Sequence, residues 1–223
     1  MQYLRERHPA RPSIPFISRR RLLQAAASGL TLLVPGAAIV AATPTAAQPQ
    51  GPFYPERIPL DKDNDLVRVE GRDGIAAGEI TDLQGRVLDP NGRPVVGALV
   101  EIWQCDANGR YIHRLDDRRV ARDPNFQGYG RFETTADGGY GFRTIKPVPY
   151  PGRAPHIHFA VRVPGSRPLV TQMYVKGAPE NRWDWLLNGV SDDAARERLI
   201  VGFEPADDTR TGQLRARFDI VLT

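Results

Sequence analysis

The chain has 223 residues, 41% of them hydrophobic, with thirty basic and twenty-six acidic side chains and a formal charge of +4. Residues 1–47 hold six of the basic residues and one of the acidic ones, leaving 24 against 25 from residue 48 onward. The folded part is therefore near neutral, which excludes basic-patch functions such as binding to nucleic acid or to an anionic membrane. A single cysteine, Cys105, excludes an intramolecular disulfide and a thiolate-rich zinc site, and the length suits one core and one domain.

At the N-terminus, Ser18-Arg19-Arg20-Arg21-Leu22-Leu23-Gln24 is followed by an uncharged stretch rich in Ala, Leu and Val through Gln48. A paired arginine, a weakly apolar run diluted by alanine, glycine and serine, and small residues at Thr45-Ala46-Ala47 resemble an export signal of the twin-arginine type. The expected division is an export signal over residues 1–47 and one domain over 48–223, with the export machinery as a partner and a periplasmic or secreted location. A competing reading keeps Leu22 to Ala42 as a membrane anchor, against which its alanine content and Gly29, Pro35 and Gly36 count.

From Gly51 onward, short β-branched and aromatic runs are broken at close intervals by Asn-Gly, Asp-Gly, Pro and Gly, the punctuation of hairpins. In chain order the pattern predicts a weak strand over residues 78–83, a strand over 85–89, the turn Pro90-Asn91-Gly92-Arg93, and a strand over 98–103 that runs up to Cys105. Strands follow over 131–135 and 140–143, flanking Asp137-Gly138-Gly139, then over 156–163, 169–175 and 216–222. One helix is predicted over 191–199, with Ser191 as N-cap before Asp192 and Asp193. The fold class is all-β, an antiparallel β-sandwich with little helix. Residues 104–130 and 144–155, polar and aromatic with few strand signals, are expected to be long functional loops.

Only four histidines are present, His8, His113, His156 and His158. The period of a strand points His156 and His158 to the same face about 7 Å apart, within reach of one metal ion, while Ile157 and Phe159 face the core. Arg153-Ala154-Pro155 delivers the pair from a proline corner, and Pro147-Val148-Pro149-Tyr150-Pro151 stiffens Tyr150 just upstream. Soft metals take Cys and Met, and Ca and Mg take carboxylates, whereas neutral imidazoles with phenolates suit Fe(III). A phenol with an ordinary pKa near 10 stays ionised at neutral pH only on a strongly Lewis-acidic cation.

GPFYP, GRVLDPNGRPVVGALVEIWQCDANGRYIH, DPNFQGYGRFETTADGGYGFRTIKPVPYP, RAPHIHF and TQMY together resemble the intradiol ring-cleavage dioxygenases of the protocatechuate 3,4-dioxygenase and catechol 1,2-dioxygenase type. The resemblance implies Fe(III) held by Tyr111, Tyr150, His156 and His158 with solvent completing the shell, Tyr150 and His158 being axial and Tyr111 and His156 equatorial. It implies a catechol-type substrate chelated through both oxygens, with displaced Tyr150 taking one proton. It implies further that O2 attacks the substrate and that a cis,cis-muconate-type diacid carries both oxygen atoms. It further implies that Arg153 stabilises negative charge on the substrate and that Gln172 lies beside the same pocket.

The segment between Tyr150 and His156 is shorter than the family pattern, so the pocket is expected to be open to bulkier or substituted catechols. The separate N-terminal helical domain of the catechol-type enzymes is expected to be absent, since the leader takes the available length. His113 is read as a supporting residue, Trp103 and Tyr140 as core, and Tyr129 as close to the pocket.

Two other classes compete. A non-catalytic β-sandwich binding module, transthyretin-like or carboxypeptidase-regulatory-like, shares the scaffold motifs but does not call for two tyrosines with His-x-His. A copper or zinc site would need a carboxylate base beside the histidines, which the sequence does not supply. Assembly as a homo-oligomer is compatible with the sequence and not required by it.

Overall fold

The computed structural model describes residues 42–206 and 213–223, all within one unit spanning Ile39–Thr223. The twin-arginine segment, His8 and all of the proposed anchor except Ala42 lie outside the described residues. Among those described, no helix is long and apolar enough to cross a membrane.

The strands are β1 (Ile80–Leu88), β2 (Leu99–Trp103), β3 (Tyr129–Glu133), β4 (Gly139–Ile145), β5 (His156–Arg162), β6 (Leu169–Val175), β7 (Ile200–Val201), β8 (Phe203–Pro205), β9 (Leu214–Arg217) and β10 (Ile220–Val221). One sheet runs β10-β1-β9-β8 with β4 also paired to β1, and the other runs β3-β2-β5-β6-β7. Leu83, Val87, Tyr140 and Phe142 from the first meet Val100, Ile102, Ile157, Phe159 and Val161 from the second in one buried core, which makes the sheet-rich sandwich that the alternation predicts.

Three expectations are corrected. The sheets are mixed rather than antiparallel throughout, because β9 and β10 both run parallel to β1 and β7 runs parallel to β6. The predicted strands at 78–83 and 85–89 are one strand, continuous through Gly85. A β-carbon there would fall 1.9 Å from the carbonyl oxygen of Phe218, so the glycine marks a close backbone approach rather than a break. The C-terminal strand is in turn split between β9 and β10, where Asp219 accepts the Arg86 N–H at 2.9 Å.

The predicted helix is α2 (Asp193–Arg198), capped by Asp192 rather than Ser191, since the Asp192 carboxylate accepts the Ala195 N–H at 3.1 Å. A short helix that the sequence reading missed, α1 (Trp185–Asn188), precedes it and is capped by Asp184.

Strand β1 is buried at every second residue, whereas β5 is buried on both faces along nearly its whole length. The inner face of β5 enters the main core. Its outer face lies under a second, smaller cluster of Trp103, Cys105, Tyr111, Tyr129 and Ala160, flanked by Phe53, Tyr54, Val148 and Tyr150. The loops therefore close over this outer face, where His156 and His158 project.

Candidate metal centre

His156 and His158 lie side by side on β5 and are 1% and 2% exposed. Their Nε2 atoms converge to 3.2 Å, far closer than the spacing of the backbone positions that carry them. The Tyr111 Oη lies 3.4 Å from His156 Nε2, and the Tyr150 ring packs against both Tyr111 and His156 at centroid distances of 5.7 and 5.4 Å. All four predicted ligands thus meet at one place. Ile157 and Phe159 turn into the core as expected.

The surroundings fix which atoms face inward. His156 Nδ1 is 2.6 Å from the Ala154 carbonyl oxygen, which puts the proton on Nδ1 and the lone pair on Nε2. Burial, reinforced by the Arg153 charge, pushes the His156 pKa down to about 3. Burial, then His156 and Arg153, drive that of His158 well below its ordinary value. Both imidazoles are consequently neutral. Two ring nitrogens and a phenol oxygen converge, with His158 Nδ1 buried and unpartnered, and loss of the protons between them would open all three to a bound cation.

The phenols match that reading. Burial raises the Tyr111 pKa well above 10, with Cys105 and Tyr150 adding to the effect. Burial also raises that of Tyr150, against the opposing pull of Arg153. Without a metal both hold their protons, so they can become anionic ligands only to a strong Lewis acid. Among the described residues no group of three or more His, Cys, Asp or Glu could hold a metal ion, so the imidazoles need the phenol oxygens to complete a shell.

Behind the ligands lies a buried polar network. Arg153 donates through Nε to Asp184 at 2.9 Å, and through Nη2 to Gln172 at 2.6 Å and Tyr174 at 3.2 Å. Gln172 stands opposite His158 in the β5–β6 register and donates to the Pro49 carbonyl at 3.1 Å. Asp184, missed in the sequence, has its carboxylate fully buried. One of its oxygens accepts from Arg153 and from the Ala154 N–H at 2.8 Å, while the other caps α1 through Leu186 N–H and Leu187 N–H. Burial pushes its pKa up, but the Leu187 and Ala154 N–H groups and the Arg153 guanidinium outweigh this and hold it below the usual carboxylate range. The Ala154 peptide thus links two bonds, its N–H held by Asp184 and its carbonyl held by His156.

Trp103 is not simply core, since its ring lies flat on His158 with centroids 4.8 Å apart and planes 7° apart. Residues 98, 100 and 102 of that stretch take the core side, leaving Trp103 on the ligand side, paired with His158 across β2–β5. Tyr54 meets Trp103 edge-on at 5.0 Å. The hydroxyls of Tyr54 and Tyr129 both donate at 2.7 Å to buried Glu101, which Arg162 also holds. Tyr129 therefore shares a carboxylate anchor with Tyr54, whose ring it also meets edge-on. Tyr140 is core, as expected, with its hydroxyl on the Phe218 carbonyl.

His113 accepts the Leu115 N–H at its Nδ1 and faces Glu56 with its Nε2, away from the ligand pair. Cys105 is buried, and burial raises its thiol pKa to about 12, so it is unreactive.

The front of the centre is formed by two further segments. Phe53 stacks on Tyr111 at 4.7 Å, and Gly51, at φ +73°, leaves room for His158, since a β-carbon there would sit 3.3 Å from His158 Cε1. The guanidinium of Arg118 covers the Tyr150 ring at 4.8 Å and is held by Asp116, which also accepts the Tyr111 N–H at 2.7 Å. Tyr150 itself stands on the turn Pro151-Gly152, closed by the Arg153 N–H on the Tyr150 carbonyl at 3.0 Å.

A protein-family model described as Dioxygenase matches residues 50–223. The protocatechuate 3,4-dioxygenase beta chain of Burkholderia cepacia is 46% identical over 170 residues, covering 72% of this chain and 71% of the relative. Hydroxyquinol 1,2-dioxygenase of Nocardioides simplex is 35% identical over 207 residues, 80% of this chain and 64% of the relative, so the chain spans less than two thirds of that protein. Among solved structures, the dioxygenase domain of a dioxygenase carbohydrate-binding protein fusion from Streptomyces sp. SirexAA-E superposes with a TM-score of 0.62 at 30% identity, over 81% of this chain and 98% of that one.

Proposed function

Because the chain belongs to the intradiol ring-cleaving dioxygenase family, we propose that it is an iron(III) enzyme that opens catecholic rings with O2 to give cis,cis-muconate-type diacids. The observation that carries the metal assignment is the convergence of two neutral imidazoles and a phenol within 3.4 Å, with a second phenol packed on them. Tyr111, Tyr150, His156 and His158 would hold the iron. When bound, it would supply a Lewis-acidic centre able to activate a catechol toward O2.

The protein's own groups do the rest. Tyr150 is the least buried of the four and stands on a two-residue turn, so its phenol can move while the strand-borne imidazoles stay fixed. Burial raises its pKa in the metal-free protein, so away from a metal its Oη would retain a proton taken from a catechol. Arg153 keeps its charge because Asp184 lies against it, and it directs a fixed guanidinium toward negative charge developing on the substrate. Gln172 holds that guanidinium by its Nη2. Trp103 and Phe53 cover the ring faces of His158 and Tyr111 and keep water from them.

The proposed substrates are catechols bearing a further ring substituent, in line with the names of the protocatechuate and hydroxyquinol relatives. The same reading assigns the leader to export and the enzyme to the periplasm or beyond, and recovery of mature protein from the cytoplasm alone would reject it. A non-catalytic sandwich module leaves the paired imidazoles and phenols without a purpose and is set aside.

The test is the visible spectrum of iron-loaded protein before and after catechol under nitrogen. The expected result is a broad phenolate-to-iron band that shifts to longer wavelength with catechol and weakens in both Tyr111→Phe and Tyr150→Phe. A colourless iron-loaded protein would overturn the ligand assignment.

A further inference from the structure

We propose that the export peptidase cuts this chain upstream of Thr45, within Val40-Ala41-Ala42, and that Thr45 to Gly51 stays in the mature enzyme as a strap running from β10 along β6 to His158. The proposal rests on the export reading of the leader. It displaces the cut after Ala47 that the small residues Thr45-Ala46-Ala47 would otherwise indicate.

Thr45 is only 3% exposed. Its N–H donates to the Val221 carbonyl and its Oγ1 accepts the Val221 N–H, both at 2.9 Å, so it pairs with β10 by backbone and side chain together. The Ala46 carbonyl accepts the Thr171 hydroxyl at 2.7 Å. Two residues on, the Gln48 N–H donates to the Val170 carbonyl at 2.8 Å, and its side chain bonds Tyr174 at 2.9 Å and the Leu186 carbonyl at 2.9 Å. The Pro49 carbonyl then holds Gln172, and Gly51 lies against His158. This run is a built part of the fold that touches both Arg153 partners on β6.

A twin-arginine route carries its cargo folded, so the peptidase meets this strap already in place. A cut after Ala47 would need Thr45, the third residue before the bond, as a free extended ligand to the peptidase. In the fold that residue is buried and paired. Thr43 and Pro44 are exposed instead, and Val40-Ala41-Ala42 and Ile39-Val40-Ala41 both end in the small residue that such a peptidase requires.

The full chain, produced in a bacterium with twin-arginine export, would be recovered from the periplasm for intact mass and N-terminal sequencing. The expected start is Ala42 or Thr43. The double substitution Ala41→Leu with Ala42→Leu should block processing, and Ala47→Leu, at an exposed position, should leave it unchanged. A start at Gln48 would overturn the proposal while leaving the export reading intact. An unprocessed chain confined to the cytoplasm would remove both.

An independent arm compares chains beginning at Thr43 and Gln48. Losing three hydrogen bonds of the strap should lower Tm by roughly 6 to 12 °C and weaken iron retention. Equal melting of the two would refute the structural premise.

Discussion

Asp184 supports the site more than any residue outside the ligand set, and Asp184→Asn, which keeps its shape and removes its charge, is the sharpest perturbation. The carboxylate accepts four hydrogen bonds, from Arg153 Nε, Ala154 N–H, Leu186 N–H and Leu187 N–H. An amide offers one accepting oxygen and one donating NH2, so in either orientation two donors face a donor. With its oxygen turned to Leu186 and Leu187 the amide keeps the helix cap, so the cost is that of breaking a buried ion pair from one side, roughly 3 to 5 kcal/mol. That is a large part of the roughly 5 to 15 kcal/mol of a typical domain.

Urea unfolding of the metal-free protein measures this directly, with a lower midpoint expected at unchanged slope. Iron affinity should fall as well, since Ala154 transmits the displacement to His156 through the bond to its Nδ1. Full stability, within about 1 kcal/mol of the parent, together with unaltered iron affinity, would refute the claim that this carboxylate anchors both Arg153 and His156.

The metal-free protein should lose stability on acidification sooner than carboxylates alone dictate. His156 titrates near 6.5 unfolded but is held to about 3 when folded, and His158 is shifted the same way. Stability from these groups is complete above pH 6.5 and lost as pH falls toward 3, because the unfolded chain binds the protons first. By pH 5 the loss through His156 is about 2 kcal/mol, with His158 adding in the same direction, and a flat urea midpoint between pH 7 and 5 would contradict it. Trp103→Ala removes the ring lying on His158 and should cost roughly 3 to 5 kcal/mol. It should also broaden or shift the visible band of the iron-loaded protein, and an unchanged band would show that the stacking does not position His158.

The grouping of the candidate residues was largely legible because its signals are local. Two-residue alternation puts His156 and His158 on one face, and prolines flank Tyr150, whereas Tyr111 needed the resemblance of its motif. The turn dipeptides likewise located most strands. Parallel pairing of β9 and β10 with β1 was not legible, because side-chain periodicity carries no strand direction. That strands 78–83 and 85–89 join through Gln84 was not legible, because the close backbone approach at Gly85 shows only once the Phe218 carbonyl is in place.

The parity of β2 did contain the answer for Trp103. Val100 and Ile102 take the core side, and an aromatic side chain at the next position belongs with the ligands. Asp184 lies in a charged, tryptophan-rich segment whose meaning depends on Arg153, 31 residues away. Thr45-Ala46-Ala47 suits a peptidase and a tight strap equally well in sequence, and the burial of Thr45 supports the strap proposed above.

The imidazoles come from an interior strand hydrogen-bonded on both sides, whereas the phenols and the groups in front of them come from connecting segments. The centre therefore has a stiff half and a compliant half. Variation in what the enzyme accepts can accumulate around Phe53, Arg118 and the Pro151-Gly152 turn without disturbing the sheet that sets the nitrogen positions. Directed evolution for new ring substituents should be confined to that compliant half, where a poor choice costs selectivity before it costs the fold.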